Sequence, residues 1–164
     1  MFRRISLIIV LLLLAAPLLA QTQTAPARPE GIPKDWKLFT AGTAFSFWGP
    51  ADLKEEKVQG VDSFVGKYTS PTMTITFDYG WYSGLSDDPK YKREAITLDG
   101  RDAVLAQWDG GVILYVPKVT VTEGLPSKPL NKLAMSITCA KDAAPQAILL
   151  LRNIKFPLPP PPAK

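Results

Sequence analysis

A strict alternation of apolar and polar residues near the middle of the chain most strongly limits what this sequence can fold into. Met73, Ile75, Phe77 and Tyr79 are apolar, and the positions between them hold threonine or aspartate. Successive side chains of a β-strand point to opposite faces, so this period of two predicts a strand with one buried and one polar face. Half-buried strands of this kind are typical of antiparallel sheets.

Other segments have the alternating or β-branched pattern of strands: residues 64–68, 95–98, 103–108, 112–121 and 133–139. Turn sequences separate them at Thr69-Ser70-Pro71, Asp99-Gly100 and Asp109-Gly110-Gly111. Such turns join neighbouring antiparallel strands, so we expect one hairpin followed by a three-stranded meander. Pro117 lacks an N–H group and predicts a bulge or an edge position in the segment that contains it.

One helix is expected near the C-terminus, with a shorter helical turn at residues 91–94. Asp142 can cap the helix, Pro145 suits its first turn, and Arg152 suits its C-terminal end. An apolar stripe runs along it, formed by Ala144, Ala147, Ile148 and Leu151. With Ile154 and Phe156 as the last core residues, the pattern predicts an α+β fold of about six strands and one C-terminal helix.

The two ends of the chain differ in composition from its middle. Residues 1–20 join a basic start to an apolar run of the length found in secretory signal peptides. The alternative is an uncleaved membrane anchor, but the run is shorter than the roughly 20 residues that span a bilayer. Residues 21–35 are predicted to be a Pro/Ala/Thr-rich linker, residues 36–156 the α+β domain, and residues 157–164 a polyproline tail. We therefore expect export to the periplasm or the medium.

The charge balance and two rare residue types exclude several functions. Removing Arg3 and Arg4 with the signal lowers the basic residues from 19 to 17 against 15 acidic residues, a net charge of +2. This small surplus does not indicate nucleic-acid binding. The sequence has no histidine, which excludes serine and cysteine triads and histidine-bound metals. Its single cysteine, Cys139, cannot form an internal disulfide, and strand parity predicts that it is buried.

An aromatic segment, residues 76–88, follows the central strand. If the strand continues past Gly80, Tyr79 and Trp81 both point into the core. A bulge at Gly80 would instead reverse the parity and expose Trp81 beside Tyr82 and the loop that follows. Both outcomes follow from the residue pattern.

The exposed alternative places a weak ligand site for a carbohydrate or an ion on Asp78, Tyr82, Asp87 and Asp88. The two adjacent aspartates do not match calcium-loop spacing, and Asp88-Pro89 suits a turn better. No metal or cofactor is predicted.

A carboxylate-dependent hydrolase is a second alternative. It requires two acids across a cleft, and the candidates are Asp62, Asp78, Asp102 and Asp109. Nothing in the sequence pairs any two of them.

Three motifs resemble the PsbP-like family: FSFWGPADL at residues 45–53, LDGRDAVLAQW at 98–108 and AILLLRNIKF at 147–156. The resemblance implies an antiparallel sheet packed by helices in an exported protein without general enzymatic activity. Photosynthetic members assist ion retention in a larger complex. The chain departs from the family where residues 51–58 are too short for its usual helix, and where Asn153 replaces a common serine.

These features together predict a non-catalytic exported module that binds or assists other components of the cell envelope. Its expected partner is an envelope protein or a glycan, and not nucleic acid. Contact with the membrane is expected only through the signal segment, if that segment stays uncleaved.

Overall fold

The computed structural model describes residues 27–119 and 131–157. The predicted signal peptide (residues 1–20), most of the predicted polyproline tail and the end of the predicted strand at 112–121 lie outside these ranges. The strands are β1 (Trp36–Ala41), β2 (Phe45–Pro50), β3 (Lys54–Glu56), β4 (Phe64–Thr69), β5 (Met73–Gly80), β6 (Lys92–Leu98), β7 (Arg101–Trp108), β8 (Gly111–Val116) and β9 (Lys132–Cys139). A 3₁₀ turn (Lys141–Ala143) leads into helix α1 (Ala144–Arg152).

The strands form two antiparallel sheets. Seven strands are ordered β3-β4-β5-β9-β8-β7-β6, and β1 pairs only with β2. The α+β class and the predicted β4–β5 hairpin and β6–β7–β8 meander are confirmed. The predicted sheet of about six strands has seven, because β3 adds a short edge, and β1 and β2 form a second sheet.

The alternation in β5 divides the large sheet into two faces as predicted. Met73, Ile75 and Phe77 are buried, whereas Thr76 is exposed. Tyr79 is half-buried and packs against the same core. Cys139, which pairs with Met73 in β9, is buried as its parity predicts.

The β1–β2 hairpin and helix α1 cover the buried face together. The Phe45 ring of β2 meets the Phe77 ring edge-on, with 5.0 Å between centroids. Helix α1 contacts β2, β8 and β9 and buries Ala147, Leu150 and Leu151. The core therefore lies between the large sheet on one side and the hairpin with the helix on the other.

The helix begins differently from its prediction. Ala143 occupies the N-cap, no side chain caps the helix, and the predicted capping role of Asp142 is wrong. The preceding 3₁₀ turn takes the place of a side-chain cap, since the backbone N–H group of Ala143 donates a hydrogen bond to the backbone carbonyl of Ala140. Pro145 lies in the first turn and Arg152 in the last, as predicted.

Two further local predictions fail near β6 and β8. Residues 91–94 form no helical turn, because β6 begins at Lys92 and pairs with β7 along its whole length. Strand β8 ends at Val116, so Pro117 follows the strand and does not interrupt it. In both places strand pairing, a non-local contact, sets the boundary.

Residues just before β1 pack on the domain. Ile32 is buried in the core. The Arg28 guanidinium donates to the Trp36 carbonyl at 2.9 Å and lies 4.7 Å from the centre of the Trp48 ring. The last part of the predicted linker thus contributes contacts to the hairpin.

The chain after α1 closes the free edge of β2. Lys155 and Ser46 exchange two backbone hydrogen bonds of 2.8 Å each. Two residues earlier, the Asn153 side chain accepts from the Trp48 N–H group at 2.6 Å and donates to the Trp48 carbonyl at 3.1 Å. The carboxamide therefore takes the place of a backbone group in the ladder, which a serine is too short to do.

Asp99 ties the β6–β7 turn to this closing segment. It adopts a φ of 49°, in the left-handed region, followed by Gly100 at 76°. Its carboxylate accepts from the Phe156 N–H group and from the Lys155 ammonium, each at 2.9 Å. Burial raises the pKa of Asp99, but these two hydrogen bonds and the charges of Lys155 and Arg101 outweigh burial and lower the pKa overall.

We expect Asp99→Asn to lower the free energy of unfolding by about 1 kcal/mol at neutral pH, through loss of charge-assisted hydrogen bonds. Because the folded pKa is depressed, the contribution of Asp99 is complete above its unfolded pKa of about 4 and declines as the pH falls through the folded value. Denaturant unfolding from pH 7 to pH 2 should show that the difference in free energy of unfolding between wild type and Asp99→Asn becomes smaller below about pH 4. Asp102→Asn, at an exposed position, controls for the lost charge. A stability difference between wild type and Asp99→Asn that does not change with pH would contradict this role of Asp99.

Among the residues that the structure describes, no helix is both long and apolar enough to span a membrane.

Candidate functional site

Strand β5 ends where the aromatic segment begins. The pairing of β5 with β9 runs without interruption from Met73 and Cys139 to Gly80 and Lys132. A Cβ atom on Gly80 would lie 2.6 Å from the Ser63 Cβ atom, so glycine allows the loop before β4 to pack against the strand end. The chain then leaves the sheet at a bend.

Trp81 is therefore not a core residue. Its side chain is 57% exposed and that of Tyr82 is 79% exposed. The alternative in which Trp81 shares the buried face with Tyr79 is wrong, because parity holds only while the strand stays paired. The exposure expected from a bulge is observed, but its cause is the end of the strand and not a shift of register.

Exposed apolar side chains gather at this end of the large sheet. Val61 is fully exposed and Phe64 is 44% exposed, and with Trp81 and Tyr82 they line one open depression of about 690 Å³. We call these four residues the aromatic patch. The Trp81 and Tyr82 rings lie 6.4 Å apart and within 22° of parallel. Three parts of the chain thus contribute to one surface: the loop before β4, the start of β4 and the bend that follows β5.

Contacts beneath the aromatic patch hold it in place. The Phe64 ring packs edge-on against buried Phe77, with 5.3 Å between centroids. The Ser83 hydroxyl, which is buried, donates to the Asp78 carbonyl at 3.0 Å and fixes the chain just after Tyr82. Asn131 donates to the Tyr79 hydroxyl at 3.3 Å on the far side of the depression. These links give the exposed rings a framework that is formed before any ligand binds.

Asp78 lies beside the aromatic patch but not within its lining. It is half-buried on the threonine face of β5, and its Oδ1 atom is buried without a hydrogen-bond partner among the described residues. Tyr82 is the only one of the four predicted ligand residues that lines the depression. The predicted grouping around Asp78 is therefore not assembled in this depression.

The two adjacent aspartates lie further along the segment that connects β5 with β6. Asp88 begins a turn, as its sequence predicts: its carboxylate accepts from the Lys90 N–H group at 3.0 Å, and its carbonyl accepts from Tyr91. The backbone hydrogen bond from Lys90, followed by the Lys90 ammonium, lowers the pKa of Asp88. Asp87 is exposed beside it. Asp88 thus serves the turn, and within residues 27–119 and 131–157 no three acidic or thiol side chains come close enough to hold a metal ion.

Two of the four acids considered for hydrolysis, Asp62 and Asp78, lie in or beside the depression, and the other two lie elsewhere on the sheet. Asp62 lines the depression, whereas Asp109 lies in the β7–β8 turn at the opposite end of the sheet. Asp102 is exposed on β7.

The sequence pattern did not identify Val61 or Phe64 as surface residues, because an isolated apolar residue in a loop or at a strand start carries no periodic signal.

The chain matches no protein-family model, and no curated protein sequence matches it.

Proposed function

We propose that this protein is a non-catalytic, exported binding module, and that the aromatic patch is its docking surface for a protein of the cell envelope. The observation that carries the proposal is the concentration of exposed apolar side chains at one end of a well-packed sheet. Scattered exposed hydrophobic residues need no explanation, but a contiguous group with a polar border is typical of an interaction site.

The composition of the aromatic patch favours a protein partner. Tryptophan and tyrosine are enriched among the residues that dominate binding free energy at protein interfaces. Val61 extends the apolar surface beyond the rings, and aliphatic side chains suit a flat protein contact. Among the described residues, Asp62 is the single charged residue that lines the depression, in keeping with the low charge at interface centres.

A non-catalytic role is supported by the residue types available for chemistry. The sequence has no histidine to act as a base near neutral pH. Burial, and then the nearby charge of Asp142, raises the pKa of the Cys139 thiol, which makes the nucleophilic thiolate scarcer.

Export and the PsbP-like relationship are the remaining parts of the proposal. Export is supported by the signal-peptide pattern of residues 1–20. The PsbP-like relationship is supported by the three sequence motifs, and it accords with an antiparallel sheet covered by a C-terminal helix.

Site-specific photo-crosslinking tests the docking surface. With benzoylphenylalanine in place of Tyr82 in the full-length protein made by its native host, we expect one dominant covalent adduct with an envelope protein. The same probe at Thr97, exposed on edge strand β6, is the matched control and should give no such adduct. A second substitution, Val61→Asp, should abolish the adduct at position 82, because a charge within a buried apolar contact is costly.

A glycan ligand is the second candidate, favoured by the near-parallel rings of Trp81 and Tyr82 beside Asp62 and Asn131. Sugars stack on aromatic faces while polar neighbours bind their hydroxyl groups. Titration calorimetry against a glycan panel distinguishes the two candidate ligands. If a glycan binds with measurable heat and this heat is lost in Trp81→Ala, the ligand of the aromatic patch is a glycan and not a protein.

A further inference from the structure

A second concavity lies at the end of the large sheet opposite the aromatic patch. It has a volume of about 610 Å³ and is lined by the start of β6, the β7–β8 turn, the end of β9 and the first turn of α1. This volume falls within the range of roughly 300–1,000 Å³ that is typical of small-molecule sites.

Much of this lining is apolar. Trp108, buried Cys139 and Ile148 contribute to it, together with Ala144 and Pro145 at the start of the helix. The Trp108 ring is held by Tyr91, whose ring meets it edge-on at 5.6 Å between centroids and an interplanar angle of 84°. A hydrocarbon group placed here would be removed from water against a surface that is already ordered.

The polar part of the lining is mainly basic. Lys90, Lys92 and Lys141 line the concavity, and Asp109 is the one acid that the described residues contribute to it. Lys90 is paired with Asp88 at 3.0 Å. Lys92 and Lys141 are exposed and have no carboxylate within ion-pair distance in the described part of the chain. We call this concavity the basic groove.

We propose that the basic groove binds an amphiphilic carboxylate, with its hydrocarbon chain against Trp108 and Ile148 and its carboxylate beside Lys92 and Lys141. An apolar lining with two unpaired ammonium groups complements a ligand that has one apolar part and one anionic part. A cationic amphiphile would meet like charges at the same place, so the groove discriminates by head group. This site is separate from the aromatic patch and does not depend on the proposed function.

Titration calorimetry with the full chain tests the proposal, using octanoate, decanoate and decyltrimethylammonium below the concentrations at which they form micelles. We expect decanoate to bind about tenfold more tightly than octanoate, because two more methylene groups leave water. Decyltrimethylammonium should not bind in the groove. The variant Lys92→Glu/Lys141→Glu should weaken decanoate binding by about tenfold, as its two charges reverse.

Lys34→Glu/Lys54→Glu makes the same change in net charge at exposed positions outside the groove and should leave the affinity unchanged. Amide chemical shifts should change at Gly110, Ala140 and Lys141 on addition of decanoate. No heat with decanoate, equal affinity for the cationic amphiphile, equal weakening in both double variants, or shift changes centred on Trp81 would each overturn the proposal.

Discussion

Replacing Phe45 with alanine is expected to lower the free energy of unfolding by about 3–5 kcal/mol. Its ring contacts four others, which belong to three segments: Phe47 in β2, Phe77 and Tyr79 in β5, and Phe156 after the helix. Alanine would leave a cavity where the hairpin, the large sheet and the C-terminal segment meet. The loss combines the transfer of the ring to water with the cost of that cavity.

Urea unfolding at neutral pH measures this effect through the transition midpoint and slope. Tyr82→Ala is the matched aromatic control, because its ring is 79% exposed and its removal should change stability by no more than about 0.5 kcal/mol. If Phe45→Ala cost less than about 1.5 kcal/mol, the hairpin would not be part of the main core.

Asn153→Ala is expected to cost about 2–4 kcal/mol, because it leaves several backbone groups without partners. The Asn153 side chain is buried, with 7% of the residue exposed. It makes three hydrogen bonds to the main chain: two to Trp48 and one to the Leu149 carbonyl at 3.0 Å. Alanine fills less space than asparagine and can satisfy none of these groups.

The matched control is Asn131→Ala, which removes one half-buried hydrogen bond to the Tyr79 hydroxyl. We expect it to cost about 1 kcal/mol or less. Asn153→Asp should restore only part of the loss, since a carboxylate can accept from the Trp48 N–H group but cannot donate to the carbonyls. Equal stabilities for Asn153→Ala and Asn131→Ala would show that residues 153–155 do not hold the edge of β2.

Local periodicity predicted the large sheet well because its central strands are half-buried. The alternation of β5 and β9 and the turn residues between β6, β7 and β8 carry information within a few neighbouring residues. The role of Asn153 depends on contacts with Trp48, which lies 105 residues earlier in the chain. No pattern within a short window encodes such contacts.

The candidate site was predicted only in part, for a related reason. The segment around Tyr82 was identified from its aromatic residues, but Asp78 lies on β5 outside the depression, and Asp87 and Asp88 lie along a connection that leads away to β6. The surface that forms instead takes Val61 and Phe64 from before and within β4, brought together with Trp81 by the pairing of β4 with β5. Gly80 allows Ser63 to pack against the end of β5, a contact that the alternation did not reveal.

The most direct measurement of the central claim is the yield of covalent adduct from a photo-crosslinker at position 82 relative to position 97. We predict one envelope protein captured at position 82, none at position 97, and loss of the adduct when Val61 becomes aspartate. Equal yields at both positions, or an adduct unaffected by the change at Val61, would contradict the assignment of the aromatic patch as the docking surface.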